Sequence, residues 1–245
     1  MSDSQSARSS TDRGEPTARA DALHGSLRVT EVFHSIQGEA LDVGWPTVFI
    51  RLTGCPLRCR YCDTEYAFTG GQRRTISELL EQTAAYGAGY VCVTGGEPLA
   101  QPGCIDLLRQ LCDAGYRVSL ETSGAIDIAS VDDRVSRIVD IKTPDSGEVD
   151  RNLLPNLRLL QSNDALKFVI CSAADYQWTK TFLEQHGTAK SGERGGSGFV
   201  CPIFLSPSFG VVSPGELADW ILADALPVRL QLQLHKVLWG DVPGR

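Results

Sequence analysis

No apolar run in this 245-residue chain approaches the roughly 20 residues that a bilayer-spanning helix needs; stretches such as VFIRL (48–52) are short and broken by charge. No membrane segment is therefore expected. Basic residues are nowhere concentrated and are outnumbered by acids, 23 Lys+Arg against 30 Asp+Glu, for a net charge of −7. A non-specific grip on phosphates needs a basic stripe, so nucleic acid is not an expected partner. The opening MSDSQSARSSTDRGEPTARADALHG lacks the apolar core of a secretory signal, and Asp3, Asp12, Glu15 and Asp21 argue against an organelle-import leader. Residues 1–26 are expected to be a disordered tail, and the location cytoplasmic. No internal repeat is evident.

Eight cysteines in a chain without a secretory signal point to a reducing compartment, where clustered thiols mean metal or catalysis rather than disulfides. Cys92, Cys104, Cys112, Cys171 and Cys201 are scattered among apolar neighbours and are expected to be buried small hydrophobes. The other three, Cys55, Cys59 and Cys62, crowd into GCPLRCRYCDT (54–64), and no fourth stands nearby. Structural zinc takes four ligands in a closed tetrahedron, and disulfides pair evenly. Three thiolates suit a centre that keeps one coordination position open. A zinc ion completed by Asp63 or His34 is the competing reading.

The 42% hydrophobic and 22% charged fractions describe a soluble globular protein, and the length suffices for one α/β barrel-like domain, taken as residues 27–245. Strand-like runs at 47–53, 90–94, 117–121, 136–142, 166–170, 199–205 and 228–234 alternate with helix-like runs at 75–86, 102–115, 174–186 and 214–225. That alternation predicts parallel strands with covering helices, in a partial barrel because too few strands can be counted for eight. GTAKSGERGGSG (187–198) reads as a flexible surface loop. CPLRCRYCDT, TGGEP, ETSG, DIK and SPSFG each close a predicted parallel strand. In barrel-type folds the loops at that rim converge on one cavity and carry the chemistry.

CxxxCxxC at 55, 59 and 62, followed one strand later by GGEP (95–98), resembles the radical S-adenosylmethionine (SAM) superfamily. The resemblance implies that the three cysteinates hold a [4Fe–4S] cluster whose fourth iron chelates the amino and carboxylate groups of SAM. FHSIQGEALDVGWPTVFIRLTGCPLRCRYCDT (33–64) narrows this further: it resembles the 7-carboxy-7-deazaguanine synthase family, with its SIQGEG…G.P..FIRL.GC..RC.WCDT pattern. TGGEP, ETSG, DIK where some members have SPK, and QLHKVLWG (233–240) extend the likeness over residues 28–245. Ala40 stands where the family usually has Gly, and is expected to reject the positive φ that Gly permits; Tyr61 replaces a common Trp.

The resemblance implies ring contraction of 6-carboxy-5,6,7,8-tetrahydropterin to 7-carboxy-7-deazaguanine with loss of ammonia, towards queuosine and related 7-deazapurines. A reduced cluster would cleave SAM to a 5′-deoxyadenosyl radical that takes a substrate hydrogen and later regains it. It also implies a homodimer and a flavodoxin-like electron donor. Tyr61, Cys62 and Asp63 would lie near the adenine; Gly95, Gly96 and Glu97 would receive the methionine amino group, with Glu97 as counter-charge. Ser123, Asp140, Ile141, Lys142, Ser206, Pro207, Ser208 and Phe209 would contact other parts of SAM, although singly such residues are commonly caps, turns or buried partners. Ile36, Gln37, Gly38, Glu39, Arg51 and Thr94 are the substrate candidates, Arg51 offering a planar fork to a carboxylate where the plainer reading is a strand-end ion pair. Thr64 would contact Mg2+, the plainer reading being a turn hydroxyl. Glu121 is equally readable as a buried partner, His235 is unassigned, and Trp45, Trp178, Trp220 and Trp239 are expected to pack. Three other readings stand beside this one: a radical-SAM activase of a partner protein, a different radical-SAM small-molecule enzyme, and a non-enzymatic zinc-binding module.

Overall fold

The computed structural model describes residues 25–187, 198–240, 242 and 244. The expected tail, apart from Gly25 and Ser26, and the expected flexible loop, apart from Gly187 and Gly198 at its ends, lie outside the described residues. One sheet organises the rest: β1 (Ser26–Ile36), β2 (Pro46–Leu52), β3 (Gln72–Thr75), β4 (Tyr90–Gly95), β5 (Arg117–Thr122), β6 (Ser136–Ile141), β7 (Ala165–Ile170), β8 (Ile203–Pro207) and β9 (Arg229–Leu230). Its order is β3-β1-β2-β4-β5-β6-β7-β8-β9. From β2 to β9 every neighbouring pair is parallel, and β1 runs antiparallel to both β2 and β3. Six full-length parallel strands and a two-residue seventh make the expected partial (β/α)6-type barrel, extended at one edge by the antiparallel β1 and β3, which the sequence reading did not separate out.

The helices are α1 (Ile76–Tyr86), α2 (Gly103–Asp113), α3 (Ala173–His186), α4 (Pro214–Ala223) and the short α5 (Leu234–Trp239). Local chemistry sets their ends. Thr75 and Glu78 form a reciprocal capping box, and Gly87 closes α1 in the left-handed region at φ 68°. Ser172 and Ser213 accept from the backbone N–H of Asp175 and Glu216 at the starts of α3 and α4. The β5–β6 and β6–β7 connections contain no α-helix, only turns and short 3-10 segments. There Asn156 serves as backbone partner, donating to Gly124 O and Ile126 O and accepting from Ile128 N. The expected strand at 199–205 begins only at Ile203, after Pro202, which has no N–H to give a ladder. The expected strand at 228–234 pairs over just Arg229–Leu230, because Gln231 and Gln233 turn back toward the β1–β2 connection.

Alternation along the strands separates two environments. Ile50, Leu52, Val91, Val93, Leu120, Val139, Ile141, Leu166, Phe168 and Leu205 belong to the main core under the helices. Their alternates include Arg51, Thr94, Glu121, Asp140, Lys167 and Ser206, which face the barrel interior at its C-terminal end. Below them Ile138, Ala165 and Phe204 plug the interior together with Ala40. Ala40 does adopt positive φ, 59°, contrary to the sequence expectation. Its N–H donates to Gln231 Oε1 at 2.7 Å and its carbonyl accepts from Gln231 Nε2 at 3.2 Å, so a buried amide holds the strained turn in place. Trp178 and Trp220 pack against the core, whereas Trp45 is 53% exposed with its ring stacked on Tyr90.

Candidate active site

The cysteine loop leaves β2 directly and is tied down on three sides. Gly54, at φ 99°, donates its N–H to Ala67 O, and Arg60 N–H reaches Ser146 O at 2.9 Å. Arg58 folds back over the loop, donating to Cys55 O (2.8 Å) and Leu57 O (2.6 Å) while lying on the Phe68 ring. The GGEP turn presses against the loop from β4. A Cβ on Gly96 would stand 2.2 Å from Gly54 O and 2.8 Å from Cys55 Cβ, and one on Gly95 would stand 2.4 Å from Leu52 O. Both glycines are thus required by close backbone approach, whatever they later bind. Glu97 is fully buried, accepting from Leu99 N, Thr122 Oγ1, Ser123 N and Ser123 Oγ at 2.5–3.0 Å. Its carboxylate fastens GGEP to ETSG, behind the wall of the cavity that the other motifs share.

That cavity, about 590 Å³, lies over the barrel mouth and is walled by all five rim motifs. Cys55, Cys59, Cys62, Tyr61, Asp63 and Thr64 face it from the β2 loop, Gly95 and Gly96 from β4, Ser123 from β5, Asp140 and Lys142 from β6, and Ser206 to Phe209 from β8. Ile141 is not among them; its side chain alternates into the helix-facing core. Cys171, expected to be an inert buried thiol, lines the cavity as well. Three buried polar atoms on this wall, Tyr61 Oη, Asp140 Oδ1 and Ser206 Oγ, have no hydrogen-bond partner among the described residues. Orphans of that kind are costly unless something docks against them.

The wall is also charged. Lys142 pairs with Asp140 at 3.0 Å, Lys236 with Asp63 at 3.0 Å, and Lys167 with Glu39, with Asp140 a further 3.9 Å away. Burial alone would raise the Glu39 carboxyl, but the Lys167 ammonium overrides it and holds the group below the ordinary carboxylate range. Glu121 moves the other way: burial, then the charge of Glu39, push it up. Burial also pushes the Cys59 thiol up to about 11 and raises Cys55, so a metal would have to displace their protons.

A smaller recess of about 170 Å³ opens beside the main cavity and shares Glu39, Arg51, Asp63, Thr64, Thr94 and Glu121 with it. Ile36, Gln37, Tyr66, Gln233 and His235 complete much of its wall. Gly38 lines neither space; it makes room for His235, whose Nδ1 would lie 2.2 Å from an added Cβ.

Known proteins align with this architecture. A family model for the radical SAM superfamily matches residues 49–147. The 7-carboxy-7-deazaguanine synthase of Chlorobaculum tepidum is 44% identical over 217 residues, covering 87% of this chain and 94% of that protein. The synthase of Koribacter versatilis is 39% identical, covering 87% and 97%. The chain belongs to the 7-carboxy-7-deazaguanine synthase family. The crystal structure of QueE from Escherichia coli, 20% identical, superposes with a TM-score of 0.63 over 90% of this chain and 100% of that one, which supports the fold.

Membership of a radical SAM family implies a [4Fe–4S] cluster and SAM, and the residues fit both. Cys55, Cys59 and Cys62 would hold the cluster from one loop. Their chemistry suits a cube, which takes one thiolate at each of three separate corners. The orphaned Tyr61, Asp140 and Ser206 atoms suit a ligand as polar as SAM. For this synthase-family chain, the groups that sequence reasoning did not single out are Glu31, Lys167, Gln233 and Lys236. Lys167 carried a usable signal, a charge at an inward position of the apolar strand LKFVI. Gln233 and Lys236 stand within QLHKVLWG, which carried the family likeness, but only the fold shows that this segment returns over Glu39 and Asp63.

Proposed function

We propose that this chain converts 6-carboxy-5,6,7,8-tetrahydropterin to 7-carboxy-7-deazaguanine with release of ammonia, in queuosine and 7-deazapurine biosynthesis. One observation carries the reading. The cavity holding the three cysteines adjoins, across the shared residues Glu39, Arg51 and Thr94, a recess lined by polar and charged groups suited to a small carboxylated heterocycle. When bound, the cluster and SAM supply a 5′-deoxyadenosyl radical that takes a hydrogen atom from the substrate. The chain's own residues bind, orient and exclude water. Gly95 and Gly96 leave backbone exposed to the methionine end of SAM, and Tyr61, Asp140, Lys142, Ser123 and Ser206 to Phe209 border the rest. Gln37 and Glu39 address the donor edge of the pterin, and Arg51 its carboxylate. Glu39, held below the ordinary carboxylate range by Lys167, accepts hydrogen bonds, while burial and the charge of Glu39 raise Glu121, which accepts from Thr94 Oγ1.

Thr64 would offer one hydroxyl oxygen to Mg2+, the neighbouring Asp63 being paired with Lys236, and the metal would supply positive charge beside the substrate carboxylate. Residues 27–245 act as one catalytic domain, working as a cytoplasmic homodimer reduced by a flavodoxin-like donor. No helix among the described residues is long and apolar enough to cross a membrane.

The deciding experiment is anaerobic iron–sulfide reconstitution, followed by reduction with SAM and 6-carboxytetrahydropterin. The deazaguanine product is expected. SAM cleavage without product would keep the superfamily and discard the substrate, and zinc in place of iron and sulfide would discard both. Replacing any one of Cys55, Cys59 or Cys62 by Ala should abolish SAM cleavage while the circular-dichroism spectrum of the barrel persists.

A further inference from the structure

Among the described residues, Arg51 is held by one nitrogen only. Its Nε donates to Glu31 Oε1 at 2.7 Å, and the same oxygen accepts from Tyr66 Oη at 2.9 Å. The guanidinium carbon lies 5.9 Å from the Phe33 ring centre and 5.8 Å from that of Tyr66. Among the described residues no hydrogen bond engages either η nitrogen, and Glu31 is the sole ion-pair partner, although Arg51 borders both the cavity and the recess. A guanidinium gripped at Nε keeps its terminal pair as a two-pronged donor for a carboxylate.

The backbone places this grip. Along the β1–β2 ladder Val29 faces Leu52 and Glu31 faces Arg51, so two steps on β1 match one on β2, and Thr30 is the extra residue of a β-bulge. Bulges re-aim the side chains that follow them. In unbroken register Thr30 would oppose Arg51 and Glu31 would move along to Ile50. Thr30 is instead spent on Thr53, the two hydroxyls being 2.8 Å apart.

We propose that Glu31, set opposite Arg51 by the bulge at Thr30 and steadied by Tyr66, is the positioning residue that aims the Arg51 fork and makes the site selective for a carboxylated pterin. This rests on the reading of Arg51 as the group that meets the substrate carboxylate. An ordinary cross-strand ion pair would stabilise the sheet slightly and discriminate between no ligands.

The test uses reconstituted, SAM-loaded holoenzyme and two ligands, 6-carboxytetrahydropterin and tetrahydropterin without the carboxyl group. Dissociation constants are measured for both, and KM and kcat for the first. Glu31→Ala should weaken the carboxylated ligand by about tenfold, mainly through KM, and leave the uncarboxylated one within about twofold. Glu31→Gln should recover most of the loss, because an amide oxygen still accepts from Nε, and Tyr66→Phe should weaken the carboxylated ligand alone by about threefold. If Glu31→Ala fails to fold, the Gln and Phe variants decide by the same comparison. Equal weakening of both ligands, or of neither, overturns the positioning role. Arg51→Ala separates the two failures. If it too fails to discriminate, the carboxylate reading of Arg51 is wrong; if it discriminates and the Glu31 variants do not, only the role of Glu31 falls.

Discussion

A lysine in the middle of LKFVI ought to weaken a buried strand, yet Lys167 is the cation around which Glu39 and Asp140 are arranged. Burial would lower its pKa, and the carboxylates of Glu39 and then Asp140 raise it above the ordinary lysine value instead. Glu39 is shifted down by the same pairing, after burial has pushed it up. Its stabilising share is therefore present above the ordinary carboxylate pKa and is lost as pH falls through the lowered folded value. The lysine's share is present below its ordinary pKa and is lost only in strong base. Lys167→Met would leave a buried carboxylate with Gln233 alone, a change of the kind that costs about 3–5 kcal/mol. Urea unfolding should show that deficit at pH 7 and a much smaller one in acid, where Glu39 is protonated in both proteins; a pH-independent deficit would place the loss in packing instead. Ala40 offers a second residue-scale check. Relieving its left-handed strain with Ala40→Gly gains about 1–2 kcal/mol. The lost methyl, about 0.8 kcal/mol, and the greater freedom of unfolded glycine offset most of that. The melting temperature should hardly move, whereas Gln231→Ala, which orphans the buried Ala40 N–H, should cost about 1–3 kcal/mol.

Between elements, the tightest constraint is the contact of the GGEP turn with the cysteine loop. Gly96 N–H donates to Leu52 O, Glu97 N–H to Gly54 O, and no Cβ fits between the two backbones. Gly96→Ala must push the cysteine loop away from β4 and so disturb the relative placement of Cys55, Cys59 and Cys62. Reconstituted Gly96→Ala should retain well under half the iron of the wild-type chain, measured by metal analysis beside thermal unfolding; full iron content with normal SAM cleavage would contradict the packing argument. The same contact explains what was legible in the sequence. Gly-Gly before Glu-Pro, a cysteine triplet after VFIRL, and ETSG, DIK and SPSFG after apolar runs all sit at strand ends, because local hydrophobic periodicity marks strands and the rim follows from them. The inner direction of Glu97 was not legible: a carboxylate beside two glycines gives no sign that the ETSG loop surrounds it. Ile141 shares the DIK motif with Asp140 and Lys142, but strand alternation turns it into the core. The bulge at Thr30 depends on pairing register, which leaves no local pattern, and QLHKVLWG marks Gln233 and Lys236 by resemblance without showing that chain reversal sets them over Glu39 and Asp63.

At the scale of the whole molecule the barrel divides its labour between two ends. The C-terminal rim carries strained, orphaned and closely opposed charged groups, while at the opposite end Arg137, near the start of β6, is clamped by Asp164, just before β7. Asp164 accepts from Arg137 N at 2.8 Å, from its Nε at 3.0 Å and from its Nη2 at 2.6 Å, and takes Gln161 N at 2.7 Å. Arg137 also donates to Leu159 O at 2.9 Å, and both side chains are almost wholly buried. Nothing in this cluster lines the cavity. Removing one partner strands the other charge in the interior, so Asp164→Ala should cost about 3–5 kcal/mol. The isosteric Asp164→Asn, which keeps some acceptors, should cost less. Since neither Arg137 nor Asp164 lines the cavity, the loss should appear in the unfolding midpoint and in the yield of soluble holoenzyme, while KM for SAM and turnover per loaded cluster stay at wild-type values. A fall in turnover per cluster, with stability unchanged, would mean that the lower end of the barrel tunes the upper one and that the division drawn here is wrong.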